Sequence, residues 1–268
     1  MVRPFAIAAL ALSASTILAQ TPTSPATPRP KFDAFEVATI KPVENDPKSG
    51  RYLIMQGVNR FIGKNYTLKL LIAAAWNLSP KTISGGPSWI ESDHWDIVAV
   101  TPGDLRPNHD EQMSMLRTLL TDRFKLAFHR EQKDFSIYQL EIAQGGPKLK
   151  PSATAPDEQP QLISTVYPQS IVLPARNVSM SDLAILMQRA MLDRPVVDKT
   201  GLSGKFDFDL EWAPDETQFG GEVPVASADS PNPPLFTALQ QQLGLKLEAT
   251  RGPIQALVVD AVERPTAN

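Results

Sequence analysis

The chain has 268 residues, a formal net charge of −3 and no cysteine. Lack of cysteine excludes disulfides, thiolate metal sites and cysteine nucleophiles, and the near-neutral charge with no Lys/Arg block excludes a nucleic-acid footprint. A chain of this length holds itself together through its core alone, as one large domain or two small ones.

The chain opens MVRPFAIAALALSASTILAQ. Arg3 precedes an apolar run from Phe5 to Leu12, and small or aliphatic residues follow at Ile17-Leu18-Ala19, which predicts a secretory signal peptide over residues 1–19. Ser13, Ser15 and Thr16 interrupt that run, leaving it short of the ~20 residues that span a bilayer. The expectation is an exported protein, periplasmic or extracellular, with no membrane span once the leader is removed. Proline is frequent, at 25 residues, and its clusters punctuate the chain. TPTSPATPRP predicts an extended tether over 20–34. KPSATAPDEQP marks a linker over 151–170, between a first α+β unit at 35–150 and a second at 171–268. The polar stretch PDETQFGGEVPVASADSPNPP predicts a mobile insertion over 214–234.

In the first unit, Leu68, Leu71, Ile72 and Ala75 recur at helical spacing behind an N-cap, Thr67. A strand, a turn and a strand follow in KTISGGPSWIESDHWDIVAV. A second helix lies in EQMSMLRTLLTDRF, and KLAFHRE and FSIYQLEIA read as two further strands. The second unit runs in the same order. Met180, Leu183, Met187 and Met191 line a helix capped by Ser179, with Asp182 in its first turn. RPVVDKTGLSGKFDFDLEW supplies strand, turn and strand. A helix opens at Asn232-Pro233-Pro234 and closes at Gly244, and LKLEATRG and IQALVVDAV follow. Thr67 and Asp96 are 29 positions apart, Ser179 and Asp207 28. This agreement predicts an internal repeat. The expected fold class is α+β: tandem duplicated helix-strand-strand-helix-strand-strand units with antiparallel sheets backed by helices.

FEVATIKP, ISGGPSW with DHWDIVA, MLRTLLTDRFKLAFHRE, GGPKL, and VVDKTGLSGKFDFDLEW with ALQQQLGLKLE together resemble a soil-associated family of exported bacterial proteins defined by a domain of unknown function. The resemblance runs from Phe35 to Asn268 and implies no particular activity, ligand or catalytic residue. Some members of that family are fused to membrane metallopeptidases of the antirepressor type, which implies a sensory input role. LFTALQQQLGLKLE is similar to the short N-terminal domains of secretins and TonB-dependent receptors, modules that pack against partner proteins.

Asp198-Lys199-Thr200-Gly201 matches the start of the phosphorylated-aspartate signature of cation pumps, but Leu202 stands where that signature has threonine. The repeat also sets this segment against the SGGPSW turn of the first unit, so a turn is the favoured reading, with Asp198 capping its own loop. His94, His109 and His129 form no H-E-x-x-H, and no G-x-S-x-G, S-x-x-K, Walker A or G-x-G-x-x-G occurs. No cofactor and no metal set is predicted.

Two constellations remain. Gly85, Gly86, Pro87 and Trp89 in one turn, and Asp198 and Thr200 in the other, are candidate binding residues on loops. If they serve one partner, the two turns lie near each other. The first expected function is a non-catalytic module that binds a protein or envelope component. The alternative is a carboxylate- or metal-dependent hydrolase at the repeat junction, drawing on Asp96, His129, Glu131, Asp207 and Asp209. A third option is a sensory input domain. Against the hydrolase, Asp207, Asp209 and Glu211 alternate with Phe206, Phe208, Leu210 and Trp212, as on the wet face of an ordinary strand.

Overall fold

Side-chain caps start three of the helices. The Thr67 hydroxyl accepts from the Leu70 amide, and Ser179 forms a reciprocal capping box with Asp182. Asn108 and Glu111 form another at the start of the longest helix. These bonds satisfy backbone donors that a helix start leaves orphaned. The computed structural model describes residues 29–46, 50–155, 158–221 and 223–266. The expected leader at 1–19 and the start of the tether lie outside the described residues.

In chain order the elements are β1 (Val37–Val43), β2 (Tyr52–Gln56), β3 (Arg60–Thr67), α1 (Leu68–Ala75), β4 (Ile83–Gly85), α2 (Trp89–Ser92), β5 (His94–Val100), α3 (His109–Arg123) and β6 (Ala127–Ile142). Short strands β7 (Lys150–Pro151), β8 (Gln161–Leu162) and β9 (Thr165–Val166) precede β10 (Ile171–Val178) and α4 (Met180–Leu186). Then come β11 (Val196–Asp198), β12 (Phe206–Trp212), α5 (Leu235–Ala238) and β13 (Leu245–Ala261). Both α4 and α5 run on into a π-helical turn, over Met187–Met191 and Leu239–Leu243. The fold is α+β. Among the described residues no helix is long and apolar enough to cross a membrane.

Three sheets result. The first has the order β1-β5-β3-β2, and the second β7-β12-β10-β8 with β9 also on β10. The third, β11-β6-β13-β4, takes strands from both halves of the sequence. Its centre is an antiparallel ladder of β6 and β13, running from Leu245 opposite Ile142 to Ala261 opposite Ala127. β4 joins β13 in parallel at one end, and β11 joins β6 in parallel at the other.

That ladder ties two apolar cores together. The first core gathers the inner face of the first sheet with α1 and α3, and includes Leu257 and Val259 from β13. The second gathers the inner face of the second sheet with α4 and α5, and includes Leu140 from β6. Each long strand therefore starts beside one core and ends beside the other. Full burial of a leucine side chain contributes about 1.5–3 kcal/mol, so each core depends on residues distant in sequence.

Two expectations change at this level. KLAFHRE and FSIYQLEIA, read as separate strands, are one 16-residue strand, and the same holds for the 17 residues of β13. The exposed polar residues at their centres look like turns in sequence, but each strand continues because the other pairs with it throughout. Pro253 is accommodated where β13 has β6 on one side and, among the described residues, no strand on the other. The late helix also starts at Leu235, not at an Asn232 cap. Asn232 instead donates from its side-chain amide to Glu211. Within the 214–234 stretch, Gln218 is fully buried and accepts from the Trp212 indole N–H at 2.7 Å.

Candidate interaction face

The residues expected to bind on turns are engaged by their own chain. Gly85 and Gly86 have φ of 78° and 70°, and a Cβ on Gly85 would lie 2.6 Å from the Val259 carbonyl oxygen. They are glycines because β4 passes close against β13. The Pro87 carbonyl accepts from the Ile90 amide, closing the turn into α2. Trp89, expected in a loop, is the first residue of α2. Its ring meets Trp95 edge-on at 6.5 Å and lies under the Arg264 guanidinium at 4.8 Å.

The Asp198 carboxylate accepts from the Thr200 amide at 2.9 Å and the Thr200 hydroxyl at 2.8 Å. That hydroxyl in turn accepts from the Leu202 amide. Thr200 is buried. Asp198 thus stabilises a loop that Gly201 and Gly204 carry through positive φ. The two turns do not come together. Asp198 stands opposite Leu140 on one edge of the shared sheet, and Gly85 stands opposite Val259, whose β6 partner is Phe128, on the other edge. Twelve residues of extended strand put them roughly 40 Å apart along the ladder.

The polar residues of the hydrolase alternative do not converge either. His129 pairs through Nδ1 with Asp260 at 2.8 Å, while Glu131 pairs with Lys133. Asp96 holds Lys64 and the Asn65 amide, and Asp207 accepts from the Asn177 amide at 2.9 Å. That backbone bond, with help from Ser152, keeps the Asp207 carboxyl below its ordinary pKa. Asp209 pairs with Arg176 at 2.8 Å. Asp207 and Asp209 line a shallow groove of about 430 Å³ with Lys148, Lys150 and Arg176. Among the described residues no group of three or more His, Asp or Glu side chains is arranged to hold a metal ion.

The contact of Asp96 with the Asn65 amide has a counterpart in that of Asp207 with the Asn177 amide. Both asparagines sit at a register break, in β3 and β10, with φ of 56° and 57°. Each side-chain amide clamps a preceding loop. Asn65 reaches Asn45 and the Asp46 carbonyl, and Asn177 reaches the carbonyls of Ala155 and Glu158. With Asp96 set on Asp207, Val98 falls on Asp209 and Val100 on Glu211.

That alignment exposes the feature the sequence reading missed. On the outer surface of the first sheet the register lines up Ile54, Ile62, Val98 and Thr39 in one row across four strands. A second row runs Gln56, Arg60, Val100 and Val37. Ile54 is 46% exposed and Val37 63%, and Tyr52 and Val58 are exposed beside them. Lys41 and Arg60 border the patch, while Lys64 is committed to Asp96, whose hydrogen bond raises the lysine pKa. An apolar patch with a charged rim is the surface pattern of a binding site. The signal was in DIVAV: an unbroken apolar run marks a strand covered on both faces, whereas FDFDLEW alternates.

A family described as a protein of unknown function (DUF3738) matches residues 69–262. The chain belongs to this family. No curated protein and no solved structure matches it.

Proposed function

We propose that this DUF3738 member is an exported, non-catalytic binding module that holds a protein of the cell envelope against the outer face of its first sheet. The observation that carries the reading is the exposed Ile54–Ile62–Val98 row, since β12 of the second sheet carries Asp209 where β5 has Val98. Export is supported by the leader pattern at residues 1–19. A hydrolase at the junction is disfavoured because each carboxylate it would use is already engaged with a separate cation or backbone amide.

Tandem duplication of one helix-strand-strand-helix-strand-strand unit accounts for the framework of this module. It is supported by the matched asparagine bulges, by the capped helices that follow them at Thr67 and Ser179, and by the parallel additions of β4 and β11. On this reading the outer side of β5 is apolar where that of its counterpart β12 is charged.

A photo-crosslinking side chain placed at position 98 or at position 209 tests the reading in the native envelope. Position 98 is expected to yield one discrete protein adduct that is lost on Ile54→Glu substitution, and position 209 none. Equal labelling from both faces would remove the basis for a binding surface on the first sheet.

A further inference from the structure

Sheet edges are where backbone donors and acceptors go unpaired, and proteins blunt them with charge, proline, brevity or cover. Nearly every edge here is blunted. β1 carries Lys41 and Pro42, and α3 reaches over it, Arg123 donating to the Ala38 carbonyl. Just before β1, the Thr118 hydroxyl donates to the Asp33 carbonyl. β7, β8 and β9 have two residues each, and β4 and β11 three. The stretch of β13 with no second partner strand among the described residues contains Pro253 and, two residues before it, Arg251.

β2 is different. Its five residues, Tyr-Leu-Ile-Met-Gln, contain neither charge nor proline, and β3 pairs with it on one side. The Met55 carbonyl accepts from the Arg106 side chain, so it points away from β3. Alternation in an antiparallel pair then turns the Leu53 amide and carbonyl outward as well. Neither residue has a further backbone partner among the described residues. Tyr52 and Ile54, between them, present exposed side chains to the outer face.

We infer that β2 is the strand to which the partner adds: an extended segment of the bound protein continues the first sheet as a fifth strand. This rests on the binding role proposed above and specifies its mode. Main-chain bonds to the Leu53 amide and carbonyl and to the Met55 amide hold the segment, Arg106 keeping the Met55 carbonyl, and its alternate side chains extend the Ile54–Ile62–Val98 row. Its chemistry follows from the surroundings. Apolar or β-branched residues fall beside Ile54, and a carboxylate falls near Arg60 and Arg106, which stand around the Gln56 end. A second copy of this chain would bring another uncharged β2 with the same arginines and no anion for them, so a foreign acidic segment is favoured over self-pairing.

The test uses the full chain and a synthetic peptide alternating valine with threonine and ending in aspartates. Amide hydrogen exchange is followed by NMR, with affinity measured by fluorescence polarisation. The peptide is expected to slow exchange at Leu53 and Met55, while residues of β12 do not respond. Leu53→Pro removes an outward N–H and should weaken binding about tenfold or more. Ile54→Lys, which leaves the backbone intact, should weaken it as well, and circular dichroism verifies that both variants fold. Unchanged affinity in folded Leu53→Pro would overturn strand addition while leaving a face-on binding role standing. Absence of peptide binding, or dimerisation of the chain through β2 in its place, would also overturn it. A discrete adduct at position 98 without peptide protection would separate failure of this mode from failure of the binding role.

Discussion

The first and second sheets pose the same problem and solve it differently. In both, an aspartate at the start of a strand accepts from the amide of an asparagine held at positive φ, and a capped helix follows. Inward, the strands agree: Ile97 and Ala99 are buried in one, Phe208 and Leu210 in the other. Outward, the first sheet has Val98 and Val100 where the second has Asp209 and Glu211. Inner-face chemistry is dictated by the need to fill a core, so both sheets share it. Outer-face chemistry is free of that demand and records use. An outer face that is apolar on β5 and charged on β12 is what the proposed binding role rests on.

The comparison can be broken most severely at the cores. Leu257→Ala and Leu140→Ala each remove a fully buried side chain lent by the other half's long strand. Each should lower stability in urea by about 2–5 kcal/mol. Fluorescence of the first-core tryptophans and circular dichroism should report a single shared transition, because the ladder joins the cores. Two separated transitions would mean that the halves are independent.

A smaller and more diagnostic effect is expected at the bulges. Asn65→Ala and Asn177→Ala place an ordinary side chain at positive φ and release a clamped loop, so each should cost about 1–3 kcal/mol in thermal or chemical unfolding. Similar losses would sharpen the equivalence of the two halves. A loss at one site alone would break it.

The smallest effect concerns the seam, where the halves are not equivalent. His109 opens α3 in the position that Leu235 occupies in α5. Burial, with Arg189 nearby as a further cause, pushes its pKa below the ordinary 6.5. A depressed histidine binds its proton more readily in the unfolded chain. Its contribution to stability is therefore complete above about pH 6.5 and is lost as the pH falls through that value. The midpoint of thermal unfolding should drop between pH 7 and pH 5, and His109→Gln should flatten that slope. An unchanged slope would assign the pH response to other groups.

Much of the framework was legible because it is local. Thr67 and Ser179 cap the helices they were expected to cap, with Asp182 in the first turn as expected, and alternation in FDFDLEW predicts which side of β12 is wet. Asp198 reads as a turn residue from the glycines around it, and its carboxylate does hold the turn. What misled was the middle of the long strands. Lys133, Asp134, Gly252 and Pro253 carry turn chemistry, and nothing nearby reveals that each stretch lies opposite the other. Trp89 misled for a similar reason, since its partner Arg264 is 175 positions away.

By itself the sequence determined periodicity, caps, turns and the absence of thiol chemistry, since these depend on neighbours within a few residues. Tertiary structure decided the rest. Strand pairing joined β6 to β13, sent the two glycine turns to opposite edges, and set Ile54, Ile62 and Val98 in a row across three strands. Those relations arise from register between segments distant along the chain, and no local pattern encodes a register.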